Sequence, residues 1–499
     1  MLSEMLELAF RPDRAAGRPL YRQLADHLRE LVETGRLAAG QKLPASRELA
    51  GAVGVSRNTV NLAYEALAEA RLVSAHVGQG TFVSRQGAPA AGDSADVRAE
   101  PGLAWEGLLS ARARALRLPA GWRRPRAPLP FDFDAGRVDL ASLPRTELRR
   151  ALGRAAGEHL DALANRIDPA GWPPLREEIA RTLVERGIRC RADDVLVVHG
   201  AQQGLDLAAR LLVDPGDAVA IEEPGYFGAR LAFAGQGAQL VPVPVDGDGL
   251  CTDALARTLR ARRVKLVYTT PAVQSPTGVA LADERRQELL DLAAEFQVAV
   301  IEDDYDSELR LAGTVTPALK REDETGRVVY LGTFSKALFP ALRVGYLVGA
   351  PPLLRRAVLA CAATQLGGSL IEQAALAELL QSGVLERHVR RMRRLYGERL
   401  EALLAALAES FPAAARFRRP AGGNSVWVEL PAGVDPAALA SAAADAGVGY
   451  GRGEVFQHDD SAPPCLLLSF ACTEPETIRE GVRRLGEVVT RMVAQEHRR

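Results

Sequence analysis

Lysine, paired cysteines and long apolar runs are all scarce in this chain of 499 residues. No apolar run reaches the roughly 18 to 20 residues that a membrane helix needs. The first ten residues carry acids where a signal peptide would carry bases. The five cysteines show no CxxC spacing, which argues against a disulfide framework and a structural zinc site. These absences predict a soluble protein of the reducing cytoplasm, without a membrane partner and without a metal.

The length and the charge of the chain narrow the class of protein further. A chain of 499 residues is too long for one ordinary core and predicts two or more domains. The 62 basic residues are balanced by 63 acidic ones, so the whole chain has no general attraction to nucleic acid. Arginine takes almost every basic position. The lysines are Lys42, Lys265, Lys320 and Lys336. A lysine retained against this background suggests chemistry that arginine cannot perform.

Lys336 lies in the segment GTFSKALFPALR, which follows a predicted buried strand, VVYL at 328–331. Thr333 and Ser335 supply hydroxyls beside it, and Arg343 follows Lys336 along the same segment. A lysine amine forms a Schiff base with an aldehyde, and a guanidinium binds a phosphate through two hydrogen bonds. Pyridoxal phosphate carries both groups, so Lys336 is the candidate Schiff-base residue. The alternative is a solvated lysine on a surface loop.

Residues 1–85 contain the pattern of a winged helix-turn-helix. Apolar residues recur at helical spacing from Leu20 to about Glu33. In the stretch that follows, we expect Ser46 to cap a short helix, Gly54 to make a turn and Ser56 to cap a second helix. The expected core face of this second helix consists of Val60, Ala63, Tyr64 and Leu67. Two strands between 72 and 84, joined by a glycine-flanked turn, would form the wing.

Polar side chains at the start of the second helix suit the reading of base edges and phosphates in a major groove. The candidate DNA-binding residues are Ser46, Arg47, Ser56, Arg57, Asn58, Thr59, Asn61, Gly78 and Gly80. Residues 1–85 contain only two more basic than acidic residues, so binding depends on how the charges are arranged. The alternative is a small helical domain that mediates protein contacts.

Residues 86–130 shift to Ala, Gly, Pro and Arg, a composition that cannot bury a core and predicts a linker. A short helix is expected between Trp105 and Arg117. The linker arginines are Arg112, Arg114, Arg117, Arg123, Arg124 and Arg126. They either contact DNA phosphates or belong to a solvated tether.

From residue 131 to residue 499, strand-like runs alternate with helical segments. The runs are VLVV at 195–198, AVAI at 218–221, KLVY at 265–268, VAVI at 298–301 and VVYL at 328–331. This alternation predicts an α/β domain with a mostly parallel sheet, whose ligand lies at the carboxyl ends of the strands.

Candidate cofactor residues follow these strands directly. The segment HGAQQG at 199–204 opens a helix whose free amides form an anion site, and Tyr226 is placed to stack on a ring. In the acidic segment after VAVI, Asp303 and Tyr305 point one way and Asp304 the other. A carboxylate at a pyridine nitrogen makes the ring an electron sink, and a tyrosine hydroxyl bonds its phenolic oxygen. An isolated acidic segment would instead suggest a metal site or a plain acidic loop.

Three motifs of residues 1–85 resemble the winged helix-turn-helix domain of GntR-type transcription regulators: LPASRELA at 43–50, VSRNTV at 55–60 and GQGTFV at 78–83. The large domain resembles the fold-type I aminotransferases. The whole chain outside the linker resembles the MocR subgroup of GntR regulators, in which such a domain follows the winged helix.

This resemblance implies a pyridoxal phosphate imine at Lys336 and a double-stranded DNA operator as partner. It also implies a head-to-tail homodimer, in which the DNA-binding domain of one subunit packs on the large domain of the other. The implied phosphate contacts are Ala201, Gln202, Thr333, Ser335 and Arg343, with Tyr226 stacked on the ring.

The sequence departs from the aminotransferase pattern in two places. Val273 stands where MocR proteins often have His, and Ser275 where aminotransferases have Asn; we expect Gln274 to cover part of that role. In PCLLLSFA at 464–471, a leucine stands where transaminases have the arginine that binds the substrate carboxylate. Arg452 is either a substitute for that arginine or a surface residue.

These departures leave the imine chemistry intact and weaken the case for turnover. The leading hypothesis is therefore a transcription regulator that senses pyridoxal phosphate, or an amine or amino acid bound to it, through an aldimine at Lys336. The alternative is a working aminotransferase with an appended DNA-binding domain.

Overall fold

The protein is described by a computed structural model that covers residues 10, 19–33, 37, 40–69, 72–76, 80–83, 105–117, 129–134, 136–166, 168–311, 317–431, 433–458 and 462–496. Contacts between residues divide the chain into two units, Met1–Ala104 and Trp105–Arg499. Within the described ranges, no helix combines the length and the apolar character needed to cross a membrane.

The described residues of the first unit form three helices and a two-stranded wing, which confirms the predicted winged helix-turn-helix. Its elements are α1 (Leu20–Glu33), α2 (Ser46–Val53), α3 (Arg57–Glu69), β1 (Val73–His76) and β2 (Gly80–Val83). The two strands pair antiparallel. The predicted core face of α3 is buried: Val60, Ala63 and Leu67 are fully enclosed, and Tyr64 nearly so.

The turn between α2 and α3 depends on two local features. Gly54 adopts a φ of 68°, a left-handed conformation that glycine accepts without strain, and its N–H donates to the carbonyl of Ala50. Ser56 caps α3, because its Oγ accepts a hydrogen bond from the N–H of Thr59 at 3.1 Å. The predicted cap at Ser46 is wrong. Ser46 is already the first helical residue, and Ala45, which has no side-chain acceptor, occupies the capping position.

The second unit is built on an eight-stranded sheet. Its strands are β4 (Val195–Val198), β5 (Ala218–Glu223), β6 (Gln239–Asp246), β7 (Gly249–Leu250), β8 (Val264–Thr269), β9 (Ala299–Asp304), β10 (Val328–Thr333) and β11 (Gly345–Val348). Their spatial order is β4-β11-β10-β9-β8-β5-β6-β7. The ladder from β10 through β9, β8 and β5 to β6 is parallel. The mostly parallel sheet is thus confirmed.

The five predicted strand runs correspond to β4, β5, β8, β9 and β10, and only the run at 298–301 begins one residue ahead of its strand. Strand β11 lies antiparallel to both β4 and β10, so these two neighbours of β11 run in the same direction as each other. The carboxyl ends of all five predicted strands therefore meet at one edge of the sheet.

A second, five-stranded sheet completes the unit, with the order β12-β13-β15-β14-β3. Its strands are β3 (Phe131–Phe133), β12 (Arg416–Phe417), β13 (Ser425–Glu429), β14 (Val448–Arg452) and β15 (Cys465–Ser469). The pairs are antiparallel except β14 with β3. Residue 131, where the large domain was expected to begin, is thus joined in one sheet to strands near the carboxyl end of the chain.

Helices cover both sheets. They are α4 (Trp105–Leu108), α5 (Ala111–Ala115), α6 (Arg145–Ala156), α7 (Leu160–Leu163), α8 (Pro173–Glu185), α9 (Gly200–Leu212), α10 (Phe227–Gly235), α11 (Thr252–Ala261), α12 (Asp283–Glu295), α13 (Leu319–Glu322), α14 (Pro351–Gln365), α15 (Leu370–Gln381), α16 (Val384–Ser410), α17 (Pro436–Asp445) and α18 (Pro475–Glu496). Helix α9 packs closely on β10, and the lack of a side chain at Gly204 permits this approach. A Cβ at Gly204 would lie only 2.3 Å from Cδ1 of Leu331. This contact places the start of α9 at the edge where the strands end.

Part of the segment expected as a linker packs on the second unit. Helices α4 and α5 lie within the range expected to be helical. Arg112 donates from Nη1 to Oε1 of Gln236, at the end of α10, over 3.1 Å. Arg112 is therefore engaged with protein. Arg123, Arg124 and Arg126 lie outside the described residues.

Candidate cofactor site and nucleic-acid interface

A cavity of about 820 Å³ opens at the carboxyl ends of the parallel strands. Nearly every residue predicted to touch a cofactor lines it. These residues are Ala201, Gln202, Tyr226, Asp303, Tyr305, Thr333, Ser335, Lys336 and Arg343. The strand order brings them together, since β4, β5, β9 and β10 each end at this cavity.

One end of the cavity is suited to an anion. The first turn of α9 begins at Gly200, and the Arg343 guanidinium lies on it, donating from Nη2 to the carbonyl of His199 at 2.8 Å. A Cβ at Gly200 would lie 2.9 Å from the same nitrogen, so glycine permits this approach. On the neighbouring β10 loop, the Thr333 and Ser335 hydroxyls lie 3.0 Å apart. Helix-start amides, a guanidinium and hydroxyls are the groups that suit a phosphate.

Asp303 presents an unpartnered carboxylate oxygen at the cavity. Its Oδ2 accepts a hydrogen bond from the Tyr268 hydroxyl at 2.8 Å, whereas its buried Oδ1 has no partner among the described residues. Burial raises the pKa of Asp303 to about 7, and the hydrogen bond from Tyr268 only partly offsets this rise. A positively charged ring nitrogen at Oδ1 would supply the missing hydrogen-bond donor and would offset the cost of burying the ionised carboxylate.

Asp304 points away from the cavity, as the alternation along the strand predicts. Its Oδ2 lies 2.6 Å from Arg186 Nη2 and also accepts from the Tyr330 hydroxyl. These contacts of Asp304 with Arg186 and Tyr330 hold β9 from the opposite face of the sheet, so that Asp303 faces the cavity.

Lys336 stands between an aromatic ring and a second carboxylate. Its Nζ lies 6.0 Å from the ring centre of Tyr305. Asp306, which lines the cavity and is 4% exposed, has a buried Oδ1 without a hydrogen-bond partner among the described residues. Burial raises the pKa of Asp306 to about 7, although the charge of Lys336 opposes this rise. Asp306 did not emerge from the sequence, where it follows Tyr305 as one more acid of an acidic run.

Gln274 does not line the cavity, unlike the other predicted cofactor residues. Its Nε2 donates to Glu222 Oε2 at 3.1 Å and to the Pro224 carbonyl at 2.9 Å, while its Oε1 accepts from the Thr277 hydroxyl. Gln274 is 1% exposed, and its amide is fully occupied within the protein. The neighbouring Ser275 lines the cavity in its place and forms a hydrogen bond with Tyr305.

Glu222, at the end of β5, is the buried partner that takes Gln274 away from the cavity. Its carboxylate accepts from the Thr269 hydroxyl at 2.6 Å and from the Thr270 hydroxyl at 2.7 Å. Burial raises the pKa of Glu222, and these hydrogen bonds partly offset the rise. The network fixes the loop after β8 relative to β5.

The cavity wall also has an apolar part, which includes Leu467 and Phe456. Leu467, in the middle of β15, lies opposite Trp427 of β13 and packs with Phe456. Arg452, at the end of β14, also lines the cavity. Its guanidinium is bound to the carboxylate of Glu454, with Nε 3.1 Å from Oε1.

In the first unit, the exposed residues at the start of α3 form the candidate DNA surface. Arg57 and Asn58 are exposed, and Thr59 and Asn61 are partly exposed. Tyr64 anchors the helix behind them, since its hydroxyl donates to the buried Pro44 carbonyl at 2.8 Å. Of the other candidates, Arg47 and Ser56 are exposed, Ser46 lies 3.4 Å from Arg57 Nε, and Gly80 begins β2 with a φ of 110°. Gly78 lies outside the described residues.

Two families match the chain. The family described as bacterial regulatory proteins, gntR family, matches residues 20–83, and the family described as aminotransferase class I and II matches residues 133–485. The probable rhizopine catabolism regulatory protein MocR of Rhizobium meliloti is 35% identical to this chain over 95% of it and 94% of the relative. The chain belongs to the MocR group of GntR-type transcription regulators. The HTH-type transcriptional regulator TauR of Rhodobacter capsulatus is also 35% identical, over 94% of this chain and 96% of the relative.

The second unit of this MocR-type regulator is also similar to solved enzymes. A kynurenine aminotransferase of Pyrococcus horikoshii superposes with a TM-score of 0.72 at 32% identity, covering 78% of this chain and 98% of the enzyme. LysN, an alpha-aminoadipate aminotransferase of Thermus thermophilus, gives a TM-score of 0.72 at 32% identity, covering 79% of this chain and 100% of the enzyme.

The aminotransferase family implies pyridoxal phosphate, and the residues of this regulator's cavity fit that group. Asp303 Oδ1, which has no hydrogen-bond partner in the described part of the chain, suits a protonated ring nitrogen, and Arg343 on the first turn of α9 suits a phosphate. Lys336 lines the same cavity and offers a primary amine to an aldehyde.

Proposed function

We propose that this regulator binds an operator through its winged helix and senses pyridoxal phosphate, or an amine or amino acid held on it, through Lys336. The observation that carries the proposal is Asp303 Oδ1, which is buried at the wall of a cavity that Lys336 and Arg343 also line and has no hydrogen-bond partner within the described ranges. Leaving a buried carboxylate oxygen without a partner is costly. A cavity with this deficit is suited to a cationic ring.

Each residue of the cavity then has a defined task. Pyridoxal phosphate, when bound, would supply an aldehyde that Lys336 or a ligand amine could hold as an imine. Arg343 and the first turn of α9 would hold the phosphate, and Asp303 would keep the ring nitrogen protonated. Tyr226 lines the cavity and would stack on the ring.

Control of operator binding by a ligand requires that ligand binding in the cavity alters the placement of the DNA-binding domains. We propose a head-to-tail homodimer whose two winged helices contact two half-sites, so that operator symmetry mirrors the symmetry of the dimer. A coupling free energy of about 1 to 3 kcal/mol between ligand and operator binding changes operator affinity by about 5- to 150-fold.

Visible absorbance of the full chain with pyridoxal phosphate tests the lysine assignment. We expect the band of the lysine-bound cofactor in the wild type and in the control Lys265→Ala, whose side chain is 39% exposed and pairs only loosely with Asp217. The band should be absent from Lys336→Ala. An unchanged band in Lys336→Ala would refute the assignment.

Regulation and turnover are separated by a paired measurement on one preparation. We expect electrophoretic shifts with DNA that flanks the protein's own coding region, altered by pyridoxal phosphate or by an amine. We expect no sustained conversion of amino donors under the same conditions. Steady turnover without a DNA shift would instead establish an aminotransferase with an appended domain.

A further inference from the structure

The charged side chains that line the cavity leave no cation for a ligand carboxylate. The cations among the described lining residues are Lys336, Arg343 and Arg452, and the anions are Asp134, Asp303 and Asp306. In the proposed function Lys336 is committed to the aldehyde and Arg343 to the phosphate. Arg452 is already bound to Glu454. The charges of the wall therefore favour a cationic ligand over an anionic one.

Part of the cavity wall is apolar. Leu467 lines the cavity and is 4% exposed, and Trp427 and Phe456 pack beside it. Val455 and Ala444 also line the cavity. A carboxylate placed here would lose its hydration without gaining a partner. An alkyl tail would instead be stabilised here, because burial removes its apolar surface from water.

Asp306, which lines the cavity near Lys336, strengthens this preference. It is 4% exposed, and its Oδ1 has no hydrogen-bond partner among the described residues. An ionised carboxylate at this position attracts an incoming ammonium group and repels a second carboxylate.

We infer that the sensed ligand is a primary amine with an apolar tail and no carboxylate group. This inference rests on the proposed function, because the amine is held where Lys336 was bound. The exchange needs no co-reactant: the C=N bond to Lys336 Nζ is replaced by a C=N bond to the ligand nitrogen, and two protons pass from the incoming amine to Lys336 Nζ.

A matched pair of ligands tests the inference on the full chain loaded with pyridoxal phosphate. Isoamylamine and leucine share the same alkyl tail and differ by the carboxylate. Titration followed by visible absorbance should give a dissociation constant at least about tenfold lower for isoamylamine, a difference of about 1.4 kcal/mol. Thermal denaturation supplies a second readout, since the tighter ligand raises the Tm more at equal concentration.

Two variants locate the preference on the wall. Leu467→Arg should reverse it, because the new guanidinium pairs with the leucine carboxylate. Arg452→Gln should retain it, because Arg452 is already occupied by Glu454. If Leu467→Arg does not fold, the wild-type ligand pair and Arg452→Gln still decide the question.

Binding of leucine as tightly as isoamylamine to the wild type would overturn the inference. Leucine binding that disappears in Arg452→Gln would show that Arg452 is the carboxylate partner, which also overturns it. Absence of the lysine-bound band before any amine is added would refute the proposed function instead, so the two failures are distinguishable.

Discussion

Replacing Asp303 by asparagine should have opposite effects on stability without and with the cofactor. The substitution keeps the shape of the side chain and an acceptor for the Tyr268 hydroxyl, which lies 2.8 Å from Oδ2. It removes the charge that burial disfavours. Without cofactor, Asp303→Asn should therefore be more stable than the wild type at pH values above the pKa of about 7 that Asp303 has in the folded protein.

The size of the effect follows from proton linkage. The folded pKa of Asp303 is raised above its ordinary value of 3.8 to about 7, so the folded state binds more protons between these two values. The contribution of Asp303 to stability therefore falls as pH rises through this window. At about 1.36 kcal/mol per pKa unit, the advantage of Asp303→Asn should grow by about 1 kcal/mol between pH 6 and pH 8.

Urea unfolding at both pH values, followed by circular dichroism, measures this difference. The wild type also carries Glu302 and Asp306, whose pKa values burial likewise raises to about 7, so only the comparison with the variant isolates Asp303. With pyridoxal phosphate added, the wild type should gain more stability than the variant, because asparagine cannot pair with a protonated ring nitrogen. An advantage of the variant that stays constant between the two pH values would refute the linkage. Equal gains from the cofactor would refute the role of Asp303.

Three further substitutions test other parts of the chain. Arg57→Gln should weaken operator binding and lower the slope of log affinity against log salt by about one, as measured by fluorescence anisotropy. Tyr64→Phe removes the hydrogen bond to the buried Pro44 carbonyl and should cost about 1 to 3 kcal/mol of winged-helix stability in calorimetry. Arg399→Met should cost about 3 to 5 kcal/mol in urea unfolding of the second unit, because it leaves Asp139, 3.0 Å from Arg399 Nη1, as a buried charge without its cation.

The features that the sequence predicted well are local ones. Runs such as VLVV at 195–198 are buried on both faces and form β4 with the predicted bounds, since β-branched and apolar residues suit a covered strand. Alternation along a single strand was enough to separate Asp303 from Asp304. The order of strands and helices placed Lys336 and Arg343 at one edge, because parallel strands with short connections share their carboxyl edge.

The assignments that the sequence could not supply depend on partners far along the chain. Gln274 is withdrawn from the cavity by Glu222, which lies 52 residues away in the sequence. Strand β6 contains Pro242 and Pro244, which weaken the strand signal, and its place beside the short edge strand β7 is visible only in the sheet. The sequence around Arg112 is typical of a solvated linker, whereas in the folded chain Arg112 donates a hydrogen bond to Gln236.

The sequence by itself determined that this protein joins a winged helix to an aminotransferase-like domain, and it indicated one candidate Schiff-base lysine. Periodicity, turn residues and strand order are properties of short segments, and they are legible without knowledge of packing. Only the tertiary structure decided the polarity and charge of the cavity wall. Leu467 packs on Trp427, and Arg452 binds Glu454. Among the described residues, Asp306 Oδ1 has no hydrogen-bond partner. The charge and polarity of a cavity depend on which side chains remain unpaired after folding, and pairing between distant segments is set by packing.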